Sequence, residues 1–480
     1  MPEGSGPKEI VHLGWRANGD GFDTALAVNR LLAVGARAWW LQSRHGGADA
    51  GDYVLELTPG QGSGLARLGV SVAPWPAAIP KDAVPLSRPA VRLFAGTASK
   101  FPYFAYYGLC LLRLGIDYVP CDGKTIARGT LDGANLLMLP GGFSTWGIDT
   151  AEDAPGADKQ VREFLASGGS AIGSCGGAFY LSAGRPGWTG TASAKPLYTH
   201  EYLQSGVGVV SIALRPGPLS FGCPPTIEVP YYHGPIYDLL GDGIDVAATF
   251  HAFALPGRLA IDNPLDRESF DRDLAGRPAV LSVTGDRGRA VLFSPHPEMG
   301  DLVRKYIALD GYVRRYLTIR GYDTMRDTLR HYRVADAPSF RLVSNAVHAL
   351  MAAALTQDHA VEGTIEHGPG VDISALCERA LAELPDPGEG EEGALIRDVA
   401  AGIATRLDRV RERSKAVTAA SVSTSLQPSL QHLGYAVAEH WKGEAKRTIT
   451  ERLMELDLVV ALVECWTRAA EFDRVLARAT

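Results

Sequence analysis

Three short segments of this 480-residue chain carry residue types that can do covalent chemistry. The first is Gly173-Ser174-Cys175-Gly176-Gly177, which follows the apolar run 170–173 and leads into AFYLSAG. A G-x-C-x-G sequence between a strand and a helix is the thiol form of a nucleophile elbow. The turn is strained, and side chains at its flanking positions would strike the strand or the helix, which is why glycines stand there. A helix starting at the thiol favours thiolate. It also presents the Gly176 N–H to an oxyanion. The plainer alternative is a buried cysteine in a glycine-rich turn.

The second segment, Ser294-Pro295-His296-Pro297-Glu298, follows an expected strand over 289–293. There His296 would take the thiol proton, and Glu298 would hold the imidazole in the required tautomer. An isolated His beside Pro is an ordinary surface feature; its place at a strand end downstream of the elbow gives it meaning. The third segment, Leu139-Pro140-Gly141-Gly142, ends the strand before the elbow strand. Paired glycines there expose backbone N–H groups at the carboxyl edge of the sheet, where open α/β sheets build their sites. The Gly142 amide would complete an oxyanion hole with Gly176; the alternative is a plain tight turn.

These segments need a scaffold, and residues 89–300 supply the pattern for one. Strands and helices alternate there (VRLFAG, DYVPCD, NLLMLPGG, SAIGSC and RAVLFSP, with a helix over 158–166), which predicts a mostly parallel sheet covered on both faces. Residues 1–88 read as βαββαβ, a small α+β ferredoxin-like module. Its first helix is expected to be capped by Asp23, and the proline-bearing stretch 74–89 to be a linker. Residues 301–480 read as a helical bundle. One stripe in it, Leu395, Val399, Ile403, Leu407 and Val410, needs a partner helix.

The order PGG, G-x-C-x-G, HPE resembles the class I glutamine amidotransferase-like superfamily. Within it the likeness is greatest to the amidotransferase-like domain at the N-terminus of some biotin–protein ligases. It is carried by LPGG, GSCGGAFYL, SPHPE and VPYYHG (residues 229–234), and covers about residues 89–300. The resemblance implies a flavodoxin-like doubly wound sheet. It also implies Cys175 as nucleophile, His296 and Glu298 as base and orienter, and Gly142 and Gly176 as oxyanion donors, with Gly141, Tyr232 and His233 beside them. His233 stands where the family's pattern has asparagine, so the substrate-side contacts differ. LAVNRLLAVGARAWWL near the N-terminus is similar to a segment preceding amidotransferase-like domains in some bacterial zinc carboxypeptidase-family proteins. No carboxypeptidase zinc motif accompanies it.

Other residues carry weaker signals. Phe143 and Trp146 would wall the pocket or pack a loop, and His251, like His233, is a polar group near the site or a histidine satisfied by backbone. Cys110 lies on an apolar helix, and Cys121, Cys223, Cys377 and Cys465 have no catalytic context. With no CxxC pair, neither a zinc site nor a disulfide framework is expected, and a reducing, cytoplasmic location is. No cofactor is expected either. Gly19 and Gly21 form a turn without the spacing of a phosphate loop, and Arg409 to Lys415 is a solvated charged face.

Composition bounds the partners. The chain is 46% hydrophobic and 21% charged, ordinary for a globular protein. A net charge of −7 gives no footprint for nucleic acid or anionic membrane. Apolar runs are too short to span a bilayer, and the first residues lack a signal-like apolar stretch. The leading expectation is an enzyme that works on a small-molecule or peptide amide through a thioester, either a hydrolase or an amidotransferase-like enzyme. An amidotransferase would need a separate synthetase, since the helical region carries no ATP-binding signature. The alternative is a non-catalytic module that binds a ligand or partner, with the helical region mediating assembly or self-association. A biotin-ligase reaction would need a downstream catalytic domain that the helical region does not resemble.

Overall fold

The computed structural model describes residues 7–99, 101–142, 146–197, 207–254, 265–306, 337–352, 372–418, 427–442 and 449–477. Its first module runs β1 (Glu9–Leu13), α1 (Phe22–Ala33), β2 (Arg37–Trp40), β3 (Tyr53–Leu57), α2 (Pro59–Arg67), β4 (Ala73–Pro74) and β5 (Val84–Pro85). The strands pair antiparallel in the order β4-β1-β3-β2-β5. Part of the stretch expected as a linker therefore joins the sheet, with Val84 and Pro85 opposite Trp40 and Trp39. The start of α1 also differs from expectation. Gly21, at φ 87°, is the residue ahead of the helix, and Asp23 lies in its first turn. A Cβ on Gly21 would come 2.2 Å from the Trp15 indole, so no other residue fits. Thr58 opens α2 with a capping box: it accepts from Gln61 N, the Gln61 side chain accepts from Thr58 N, and Pro59 takes the first helical position.

The middle domain is a nine-stranded sheet, ordered β12-β11-β14-β15-β16-β9-β8-β6-β7. Its first half comprises β6 (Val91–Phe94), α3 (Tyr103–Arg113), β7 (Tyr118–Cys121), α4 (Gly123–Ala127), β8 (Leu136–Leu139), α5 (Ile148–Glu152), α6 (Ala157–Ala166), β9 (Ser170–Ser174) and α7 (Gly176–Leu181). Next come β10 (Ala194–Pro196), β11 (Val207–Leu214), β12 (Thr226–Tyr232), β13 (Tyr237–Leu239), β14 (Ile244–Phe253), the short α8 (Arg267–Ser269), β15 (Pro278–Gly285), β16 (Gly288–Phe293) and α9 (Gly300–Tyr306).

From β7 through β6, β8 and β9 to β16 every neighbour is parallel. Counted along the chain, that order is 2-1-3-4-5, the flavodoxin-like doubly wound arrangement. The remaining pairings, from β16 out to β12, are antiparallel, which corrects the expectation of a mostly parallel sheet. The antiparallel strands are an insertion between β9 and β16 that widens the sheet beyond β16. Alternation sorts the side chains of β8 to two cores. Leu136 and Met138 join the one that includes α3, while Leu137 and Leu139 join the one that includes Phe164, Ala178 and Leu181 of α6 and α7.

The C-terminal region is helical: α10 (Ala337–Met351), α11 (Ile373–Ala382), α12 (Glu391–Thr418), α13 (Gln427–Lys442) and α14 (Ile449–Ala477). It does not stand apart, because its apolar side chains share one core with α1, α3 and the sheet. The stripe of α12 is covered within the chain: Ile403, Leu407 and Val410 are buried and Val399 is partly so, while the Leu395 side chain lies outside the described residues. Buried polar groups set the register of the three regions. Arg30 of α1 pairs with Asp117 and, at 2.6 Å, with Asp473 of α14. Arg341 of α10 donates to Gly51 O and Phe221 O and lies 3.8 Å from the Trp15 ring centroid.

Candidate active site

Cys175 lies where β9 hands over to α7, with φ 48° and ψ −106°, a backbone conformation that L-residues rarely adopt. The flanking glycines are sterically required. A Cβ on Gly173 would lie 2.6 Å from the Gly177 carbonyl carbon, and one on Gly177 would lie 2.1 Å from Leu139 O. Two backbone hydrogen bonds pin the elbow. Cys175 N–H donates to Phe293 O at the end of β16 (2.9 Å), and Gly177 N–H donates to Pro140 O (3.2 Å). The three segments singled out in the sequence thus meet at the carboxyl edge of three adjacent strands, β8, β9 and β16. Gly176 opens α7, where an N–H has no intrahelical carbonyl to reach.

His296 and Glu298 follow β16 and are each 1% exposed. Nδ1 of His296 and Oε1 of Glu298 are 2.7 Å apart, and His296 N–H donates to Pro230 O (2.8 Å). Burial by itself would favour a neutral imidazole. The charges of Glu298 and then Cys175 outweigh it and raise the His296 pKa to about 10. Nε2 of His296, the ring nitrogen turned away from Glu298, is wholly buried. The thiol lies 3.0 Å from Tyr232 O and is also close enough to His296 for its charge and a hydrogen bond to act on the ring.

The other expected site residues surround this pair to different degrees. Gly141 is packed against the imidazole: a Cβ there would come 2.2 Å from Cε1 of His296. Gly142 adopts φ 66°, and a Cβ on it would meet the Tyr103 ring at 2.6 Å. Tyr232 contributes its carbonyl to the thiol and its ring edge to His296 (centroids 5.6 Å apart, planes at 83°). His233 is buried at φ 51°, and burial lowers its pKa to about 4. The turn holding both is locked by Gly234, where a Cβ would fall 1.9 Å from Ser294 O.

Trp146 is 66% exposed, with the Arg185 guanidinium 5.2 Å from its ring centroid, so it does not pack a loop onto the core. Phe143 lies outside the described residues, and His251 is exposed. All six cysteines are free, and burial raises the thiol pKa values of Cys223 and Cys377 to about 12. Among the described residues no group of His, Cys, Asp or Glu is arranged to hold a metal ion, and no helix is long and apolar enough to cross a membrane.

Two side chains passed over in the sequence touch the site. Ser174 Oγ donates to Oε2 of Glu298 (2.8 Å), and Tyr107 Oη lies 2.5 Å from Ser174 Oγ. Ser174 stood in the elbow motif as a mere spacer. Tyr107 gave one faint signal, a phenol on an otherwise apolar helix that must find a partner once buried.

Residues 106–201 match the model of the CobB/CobQ-like glutamine amidotransferase domain, a span that holds the glycine pair and the elbow. That span is glutamine amidotransferase-like. Solved structures similar to this chain include a glutamine amidotransferase with 18% identity, covering 47% of this chain and 96% of that one, at a TM-score of 0.30. A glutamine amidotransferase from Thermotoga maritima has 12% identity, with 55% and 98% covered and a TM-score of 0.35. A putative GMP synthase protein from Thermoplasma acidophilum has 16% identity, with 44% and 84% covered and a TM-score of 0.30. None of the three bears on substrate. No curated protein matches the chain in sequence.

Proposed function

We propose that this glutamine amidotransferase-like domain is a cysteine-dependent amidase, working through a thioester on Cys175. The observation that carries the reading is the elbow cysteine at φ 48° beside a buried His296–Glu298 pair on which its charge acts. In the reaction His296 already holds the thiol's proton as the imidazolium, and Sγ attacks the amide carbonyl carbon. The tetrahedral oxyanion takes hydrogen bonds from the N–H groups of Gly176 and Gly142. As the C–N bond breaks, His296 returns the proton to the leaving amine, and Glu298 holds the imidazole throughout. Water, deprotonated by His296, then attacks the thioester and frees the thiol, so one amide and one water give one carboxylic acid and one amine.

Glutamine is one donor that fits this chemistry, and a γ-glutamyl or peptide amide is another. Transfer of ammonia would require a separate synthetase as partner. The C-terminal helices are our proposed place for such a partner or for self-association. The likeness to the domain of biotin–protein ligases, and the cytoplasmic location inferred from six unpaired thiols, belong to the same proposal.

A second reading, a ligand- or partner-binding module, draws support from the thiol's bond to Tyr232 O and its burial to 8% exposure. The experiment that separates the two is intact-mass labelling with limiting iodoacetamide across pH, on wild type, Cys175→Ala and His296→Ala. One rapid label, lost with Cys175 and slowed without His296, supports the enzyme. A Cys175 no faster than a free thiol supports the binding module.

A further inference from the structure

Glu298 uses both of its carboxylate oxygens: Oε1 meets Nδ1 of His296 at 2.7 Å, and Oε2 meets Ser174 Oγ at 2.8 Å. Behind Ser174 stands Tyr107, with its Oη 2.5 Å from Ser174 Oγ. A serine hydroxyl has one proton, and an ionised carboxylate only accepts. The Ser174 proton therefore points to Glu298, and Tyr107 is the donor to Ser174. Burial, and then the charge of Glu298, hold the Tyr107 phenol well above its ordinary range, so the proton it must donate stays in place. Tyr107 and Ser174 are both wholly buried, so water does not compete for these bonds.

The geometry follows from the strand. Successive side chains of β9 point to opposite faces of the sheet, and that of Ser174 turns toward the face covered by α3, from which Tyr107 projects. The residue next to the nucleophile thus reaches beneath it to the orienting carboxylate. Without that tether the terminal torsion of a glutamate is broad and nearly two-fold, and the carboxylate plane can turn away from Nδ1.

We infer that Ser174 and Tyr107 are positioning residues, a hydroxyl relay that holds Oε2 of Glu298 so that Oε1 stays aligned with His296 and Nε2 stays turned to the thiol. The inference rests on the triad reading above. Its test is the rate of Cys175 alkylation by limiting iodoacetamide against pH, in the full chain, for wild type, Ser174→Ala, Ser174→Thr, Tyr107→Phe and His296→Ala. Ser174→Ala is expected to slow alkylation at neutral pH about tenfold and to move the rising limb of the profile to higher pH. Ser174→Thr, which keeps the hydroxyl, should return both to within about threefold of wild type. Tyr107→Phe, one bond further out, should slow the reaction about threefold.

Circular dichroism and melting temperature establish that each variant is folded. A folded Ser174→Ala with the wild-type rate and profile, beside a slow His296→Ala, overturns the relay and leaves the triad standing. A His296→Ala as fast as wild type removes the triad and the relay with it. Should Ser174→Ala not fold, Tyr107→Phe decides the matter, and an unchanged profile there overturns the relay.

Discussion

Replacing Glu298 by glutamine removes one charge and almost no volume. In the native site burial disfavours the imidazolium, and Glu298 with Cys175 reverses that preference, raising the His296 pKa from 6.5 to about 10. That gap corresponds to roughly 5 kcal/mol in favour of the charged ring. Because Cys175 shares in it, we assign Glu298 about 3 kcal/mol, the lower end of what breaking a buried ion pair costs. In Glu298→Gln the His296 pKa falls back toward the ordinary histidine range, and the imidazolium beside Cys175 is held less firmly. Three kilocalories correspond to about a hundredfold in rate, so alkylation of Cys175 at neutral pH should slow by about that factor.

The same pair has a pH signature in stability. His296 has a raised pKa in the folded state, so its contribution is fully present below the unfolded value of 6.5 and is lost as pH rises through about 10. The melting-temperature advantage of wild type over Glu298→Gln should therefore be largest near pH 6 and shrink steadily toward about pH 10. Mass-resolved alkylation and thermal melts by circular dichroism check the two halves. A Glu298→Gln protein that alkylates at the wild-type rate, or an advantage that grows over this pH window, refutes the reasoning.

Three further substitutions probe the scaffold. Gly177→Ala puts a Cβ 2.1 Å from Leu139 O, a backbone atom that cannot give way; urea unfolding should show a loss of about 2–4 kcal/mol, with slower Cys175 labelling. Arg30→Met removes the guanidinium that Asp117 and Asp473 share, leaving Asp117 only the more distant Arg88 at 3.8 Å. About 3–5 kcal/mol of stability should be lost, and a melting temperature within a degree or two of wild type would contradict the stapling role. Trp146→Ala removes a side chain that is 66% exposed and stacks on Arg185, so melting should show a change of no more than about 1 kcal/mol.

The candidate site of this chain was legible in its sequence wherever its geometry is local. An elbow needs glycines two residues either side of its cysteine, and a histidine can be paired with a carboxylate two residues on. Such requirements are written in spacing, and so Cys175, His296, Glu298 and the glycine pair could be named before any coordinates. Alternating strands and helices likewise gave the doubly wound core, because buried parallel strands must be apolar on both faces.

Tertiary structure decided what depends on partners distant in the chain. The direction of β11, β12, β14 and β15 followed from which neighbour each strand met, and a strand's own residues do not encode that. The C-terminal stripe needed an apolar surface, but the sequence did not say that the core would be shared with α1 and α3. Ser174 and Tyr107 are 67 residues apart, and Ser174 and Glu298 are 124 apart. A hydroxyl forms a hydrogen bond with whichever group the fold brings within about 3 Å. Its type and position in the chain leave that partner open until the sheet has closed around it.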